Sequence, residues 1–87
     1  MSKPKPAPLP SWTVVGGYQI VKKIAAGGFG IVYLAEDETR HLVALKEYLP
    51  ASLADRSPGE LIPRVKPEKQ PLYRLGLKSF FEEGRSL

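Results

Sequence analysis

Between Ile24 and Val32 the chain reads I-A-A-G-G-F-G-I-V, three glycines inside an otherwise apolar run. Both flanks are strand-like. Residues 18–26 read YQIVKKIAA and residues 31–37 read IVYLAED, with β-branched and aromatic residues in short alternating runs. The glycines are there for backbone reasons. Glycine reaches positive φ at little cost and lets a backbone come close to a ligand. Successive free N–H groups in such a turn can hold an anion, typically a phosphate. Two readings are open at this point, a hairpin turn that binds nothing and an anion-binding loop, because a lone glycine-rich loop is a weak signal.

The neighbouring segments set the architecture. In residues 18–26, Ile20, Lys22 and Ile24 alternate with Val21, Lys23 and Ala25; in the second strand Val32 and Leu34 share one face, and Ile31, Tyr33 and Ala35 the other. Glu38, Thr39 and Arg40 make a polar turn, and residues 41–48, HLVALKEY, form a third strand. Short connections join the three into an antiparallel meander. Residues 49–71 hold Pro50, Pro58, Pro63, Pro67 and Pro71 and read as a long, mostly irregular connection, with one helical turn at most around residues 51–54. Residues 72–87 place Tyr73, Leu77, Phe80, Gly84 and Leu87 on one face of a helix that starts near Pro71. Gly76 and Gly84 each cost about 1 kcal/mol of helix propensity, so this helix depends on packing. The expected fold class is α+β: a three-stranded meander, a long irregular connection and one C-terminal helix.

Ahead of the meander, Pro4, Pro6, Pro8 and Pro10 favour extended backbone and a solvated leader, without the three-residue spacing of a PxxP ligand. Trp12, Thr13, Val14 and Val15 form a short apolar patch that either tucks against the domain or stands as a loose arm, and Gly16-Gly17 separates it from the first strand. The expected division is a flexible leader over residues 1–17 and a domain over residues 18–87.

Composition removes several function classes. The net charge is +4, yet residues 18–48 balance Lys22, Lys23, Arg40 and Lys46 against Glu36, Asp37, Glu38 and Glu47. No basic stripe is interleaved with aromatics, which argues against nucleic-acid binding. There is no cysteine, so no disulfide framework and no thiolate metal site, and His41 is the single histidine; no metal site is assigned. No apolar run approaches the ~18 residues of a membrane span. The start of the chain has no apolar h-region of a secretion signal. The expected location is the cytoplasm.

Three phosphate-binding plans use glycine-rich loops, and the flanks separate them. A dinucleotide fingerprint opens into a helix, whereas Ile31-Val32-Tyr33-Leu34 is strand-like. A Walker A loop ends in Gly-Lys-Ser/Thr, whereas Gly30 precedes Ile31. The third plan joins two antiparallel strands by the glycine loop and places a lysine on the next strand, which Val43-Ala44-Leu45-Lys46 supplies.

Here the chain resembles the N-terminal lobe of protein kinases, whose glycine loop G-x-G-x-x-G-x-V is followed by V-A-I-K on the third strand and a glutamate on the next helix. The loop reads Ala25-Ala26-Gly27-Gly28-Phe29-Gly30-Ile31-Val32, the lysine motif V-A-L-K, and the helix carries Phe80-Phe81-Glu82-Glu83-Gly84. KEYLPASLADR and GLKSFFEEGRSL also look like bacterial kinases of the eukaryotic-like (Hanks) Ser/Thr type. The resemblance implies ATP as ligand. Its nucleotide set is Ile24, Ala25, Ala26, Gly27, Gly28, Phe29, Gly30, Val32, Ala44 and Lys46. In it Gly27 and Gly30 cover the phosphates, Val32 and Ala44 pack on the adenine, Lys46 holds the α- and β-phosphates, and Glu83 of the αC helix pairs with Lys46, with Glu82 as second choice. Period two independently puts Ala44 and Lys46 on one strand face. Ala25 replaces the family's first glycine.

Neither H-R-D-L-x-x-x-N nor D-F-G occurs in the sequence. The resemblance therefore implies an incomplete kinase domain, truncated after αC, without the catalytic aspartate and the protein ligands of the Mg²⁺ that accompanies ATP. These 87 residues alone are expected to transfer no phosphate to a protein Ser/Thr. The third strand is expected to present an edge open to self-association. Two other readings are a non-catalytic interaction module that uses this edge, and an unrelated small β module that binds an anion.

Overall fold

A computed structural model describes residues 5–85, with side chains through residue 78. A four-stranded antiparallel sheet runs in the order β1 (Val14–Val15), β2 (Tyr18–Gly27), β3 (Gly30–Glu36), β4 (Leu42–Tyr48). The three strands expected from the sequence are β2, β3 and β4. The apolar patch before them takes the tucked alternative, since Val14 and Val15 pair with Gln19 and Tyr18. Gly16 and Gly17 close that hairpin at φ 53° and 85°, the left-handed turn that matches strand twist and that side chains resist.

β3 is the centre of the sheet. Its alternation is clean, with Ile31, Tyr33 and Ala35 buried and Val32 and Leu34 half-buried on the other face. The buried three join Ile20, Leu49 and Ala54 in the core, with Leu9, Val43, Leu45, Val65 and Tyr73 packed around. β2 departs from simple alternation. Its register against β3 shifts between Ile20 and Lys22 and again between Lys23 and Ala25. Ile20 pairs with buried Ala35 while Lys22 pairs with Leu34, so Ile20, Lys22 and Ile24 do not share one face as the sequence suggested. Each irregularity adds a residue and resets the side-chain parity.

The turn from β3 to β4 is tied by one carboxylate. Asp37 Oδ1 accepts from the Thr39 and His41 backbone N–H groups, both at 2.9 Å, and from Thr39 Oγ1 at 2.8 Å. The His41 N–H, followed by the Thr39 hydroxyl, holds the Asp37 carboxyl below its ordinary range. Among the described residues no strand pairs with the outer edge of β4.

The connection after β4 is less irregular than expected. β5 (Ala54–Asp55) and β6 (Arg64–Val65) pair as a small second sheet, and Arg64 forms ion pairs with Glu60 and, at 3.6 Å, with Asp55. A 3₁₀ turn at Pro67–Lys69 leads into α1 (Gln70–Arg85). Pro71 is the second residue of this helix, where a missing N–H costs no helical bond. Of the predicted apolar face, Tyr73 reaches the core and Leu77 is exposed; Gly84 lies within α1, and the side chain of Phe80 and the whole of Leu87 fall outside the described residues.

The leader is docked from Ala7 onwards, which corrects the expectation of a solvated tail there. Ala7 N–H donates to the Arg56 carbonyl at 2.8 Å, and Leu9 N–H donates to the Tyr33 hydroxyl at 2.9 Å. Trp12 and Ile20 close the approach, with Trp12 N–H on the Ile20 carbonyl at 2.6 Å and Ile20 N–H on the Thr13 carbonyl at 2.8 Å. Alternate prolines keep the segment extended, and the residues between them have the N–H groups free to donate.

Candidate functional site: a cleft under the glycine turn

Strand pairing brings three predicted residues into one lateral row. Ala25 of β2 pairs with Val32 of β3, and Val32 pairs with Lys46 of β4. All three line a cavity of about 940 Å³ that also takes in the whole turn from Ala26 to Gly30. Its far walls are Pro50, Ser52 and Leu53 after β4, and Leu72, Leu75 and Gly76 of α1. The sequence reading contained none of these wall residues, because only the fold of the connection brings them opposite the turn.

Two members of the predicted set stay off the cavity lining. Ile24 lies within the second register shift of β2 and is 53% exposed. Ala44 shares the face of Lys46 but sits one pair further along, opposite Leu34.

The turn residues Gly28 and Phe29 project outward, and Phe29 is 80% exposed. A Cβ on Gly27 or Gly28 would meet nothing within 4 Å, so both leave open space beside their backbone. Gly30 differs. It has φ 157°, and a Cβ there would collide with the Glu47 carbonyl and stand 2.8 Å from the Leu49 nitrogen. Leu49 N–H donates to the Phe29 carbonyl at 2.9 Å. Gly30 is therefore required by the close approach of the turn to the end of β4, a packing reason beside any role toward phosphate.

The Lys46 side chain is exposed and makes no hydrogen bond or ion pair among the described residues. Glu82 and Glu83 belong to α1, but their side chains fall outside the described residues, and with them the predicted pairing to Lys46.

One residue further, alternation turns Glu47 to the opposite face, where it meets Arg56. The Arg56 Nη1 donates to Glu47 Oε2 at 2.7 Å and its Nη2 to Glu47 Oε1 at 2.8 Å. Arg56 also donates to the Ala7 carbonyl at 2.9 Å and to the Tyr33 hydroxyl at 3.2 Å, and is only 1% exposed. The Tyr33 hydroxyl donates to Glu47 Oε1 at 2.7 Å. Burial, then the hydrogen bond to Glu47, pushes the Tyr33 phenol up to about 12. The carboxylate bonds raise the Arg56 guanidinium further above its ordinary value. Nothing in the proline-rich connection singled out Arg56. The available signal was Glu47 itself, a carboxylate on the same strand face as Val43 and Leu45 that needs a buried cation.

Among the described residues there is no cluster of three or more His, Cys, Asp or Glu able to hold a metal ion, and no helix long and apolar enough to cross a membrane.

No family model matches the chain, and no curated protein matches it. Among solved structures it is similar to PpkA-294 in its apo form, a kinase chain, at 38% identity and a TM-score of 0.82 over 90% of its own length. It spans 28% of that chain. In sequence and fold alike, the protein is related to a segment of a kinase chain.

Proposed function

We propose that the chain is the ATP-binding N-terminal portion of a Ser/Thr protein kinase, which in its complete form transfers the γ-phosphoryl group to protein hydroxyls. One observation carries this reading: the glycine turn and Lys46 line the same cavity, joined by the Ala25–Val32–Lys46 row. The cavity suits a nucleotide in size and in chemistry. Apolar Ala25 and Val32 offer a surface for a base, the turn offers backbone N–H groups beside glycines with open space, and Lys46 brings a positive charge, the neighbouring Glu47 carboxylate being paired with Arg56. Mg²⁺ accompanies ATP as part of the substrate.

The sequence holds neither H-R-D nor D-F-G, so these residues bind and orient but supply no base for the acceptor hydroxyl. Titration of the 87-residue chain with Mg²⁺-ATP by calorimetry tests the binding. Weak saturable binding is expected, reduced at least tenfold in Lys46→Ala. No binding, or equal binding by the variant, sinks the reading. A radiometric assay with a generic acceptor protein is expected to show no transfer; turnover above contaminant level contradicts the binding-only assignment.

A second reading attaches to the outer edge of β4, unpaired among the described residues, which can add a strand from a second copy. Concentration-dependent sedimentation that Leu42→Lys, on that strand, abolishes is the result that favours it.

A further inference from the structure

Gly76 is out of place by propensity, a glycine in the second turn of a helix, yet any side chain there would have to displace the Tyr48 ring. A Cβ there would collide with the Tyr48 hydroxyl and stand 3.1 Å from Tyr48 Cζ and 3.4 Å from Cε1. The hydroxyl is engaged with the same helix, donating to the Tyr73 carbonyl at 3.2 Å. The Tyr48 and Tyr73 rings meet at 5.2 Å with an interplanar angle of 53°. Tyr48 thus enters a notch in α1 made by one missing side chain, with Tyr73 on its flank.

The notch lies beside the cleft. Period two on β4 puts Tyr48 on the same face as Lys46, and Tyr48 and Gly76 both line the cavity, together with Leu72 and Leu75 from the same helix. The helix that carries this wall meets β4 at Tyr48.

We infer that Tyr48 and Gly76 form a seat that fixes the separation of α1 from the Lys46 face, and thereby the width and nucleotide affinity of the cleft. Tyr48 is a positioning residue in this assignment. The seat deepens the ATP-cleft reading and rests on it for the affinity consequence, while the placement of the helix is measurable without nucleotide.

The pair predicts a reversal of sign. An alanine in an unobstructed helix position outperforms glycine. At residue 76 the added methyl meets the Tyr48 hydroxyl, so Gly76→Ala is expected to lower the urea midpoint. In a Tyr48→Phe background the hydroxyl is gone, the remaining contact at Cζ needs only a few tenths of an ångström, and Gly76→Ala is expected to be neutral or to raise the midpoint. A cysteine-free chain allows the seat to be read directly. With spin labels on Glu38→Cys and Lys78→Cys, Gly76→Ala is expected to move the inter-label distance, and Tyr48→Phe/Gly76→Ala to return it toward the starting value. Mg²⁺-ATP affinity is expected to fall at least fivefold in Gly76→Ala and to recover to within twofold in the double variant. An unchanged distance, or Gly76→Ala raising the midpoint in both backgrounds, overturns the seat. A moved helix with unchanged ATP affinity overturns its role in the cleft. Failure of the unmodified chain to bind ATP overturns the affinity consequence along with the nucleotide reading, and the distance measurement still decides the seat.

Discussion

Arg56 places both terminal nitrogens of its guanidinium on the two oxygens of the Glu47 carboxylate, at 2.7 and 2.8 Å, with its own side chain fully buried and Glu47 23% exposed. The pair joins three segments far apart in sequence: the leader through the Ala7 carbonyl, β3 through Tyr33, and β4 through Glu47. Bidentate geometry gives the pair its direction as well as its strength. It fixes the residue directly after Lys46, so the strand that carries the lysine is held from behind.

Removing the arginine leaves Glu47 without its cation and the Ala7 carbonyl without its side-chain donor, while the Tyr33 hydroxyl keeps only the Leu9 N–H. Breaking one side of a buried pair costs about 3–5 kcal/mol. Arg56→Ala is expected near the lower end, because Glu47 retains some solvent. Native domains hold only about 0.05–0.15 kcal/mol per residue, so such a loss is a large part of the total. Urea unfolding followed by tyrosine and tryptophan fluorescence checks this; an unchanged midpoint would show that the pair is dispensable.

A solvated leader could be removed at no cost. The docked leader predicts otherwise. Deleting residues 1–11 removes the hydrogen bonds of Ala7 and Leu9, each worth about 0.5–1.5 kcal/mol net, and strips Leu9 from the core. The combined loss is expected at about 2–4 kcal/mol. The check is the thermal midpoint of the shortened chain, and coincidence with the full chain would return the leader to the solvent.

Gly28 and Gly30 of the turn are expected to respond differently. Gly28→Ala meets open space and is expected to change stability by less than about 1 kcal/mol. Gly30→Ala drives a methyl into the β4 backbone and is expected to cost about 3 kcal/mol or more, since backbone cannot move aside as a side chain can. Chemical denaturation of the two variants side by side separates them; equal effects would mean that the approach of Gly30 to Glu47 is not tight in solution.

Tyr33 predicts alkaline sensitivity. Its phenol is raised to about 12 in the folded chain, against the ordinary value of 10. Between these values the folded chain holds a proton that the unfolded chain has lost, so stability falls as pH rises. This contribution is complete below pH 10 and is lost progressively toward pH 12. Denaturation midpoints from pH 9 to 11.5 for the parent and Tyr33→Phe give the test. The parent is expected to decline more steeply, and parallel slopes would remove Tyr33 as the cause.

The meander was legible because strand alternation is local. In β3, Ile31, Tyr33 and Ala35 announce the buried face, and Val32 and Leu34 the cleft face. The cleft was legible to the same depth. V-A-L-K after a glycine turn marked Lys46 and Val32, and both reach the cavity. The faces of β2 do not follow its alternation, because two register shifts against β3 set Lys22 opposite Leu34, and strict alternation in the sequence carries no mark of such an irregularity.

Sequence by itself determined the order of the three long strands and the C-terminal helix, the glycine turn between two strands and the face on which Lys46 lies, since all depend on periodicity and backbone freedom within a few residues. Only the tertiary structure decided what surrounds them. It docked Ala7 and Leu9 through Arg56 and Tyr33, made Gly30 obligatory against Glu47, and turned Gly76 from a weakness of the helix into the opening that Tyr48 fills. Those relationships join residues 17 to 49 positions apart through burial and close contact, and no local pattern encodes which distant group arrives to satisfy a buried charge or to occupy a missing side chain.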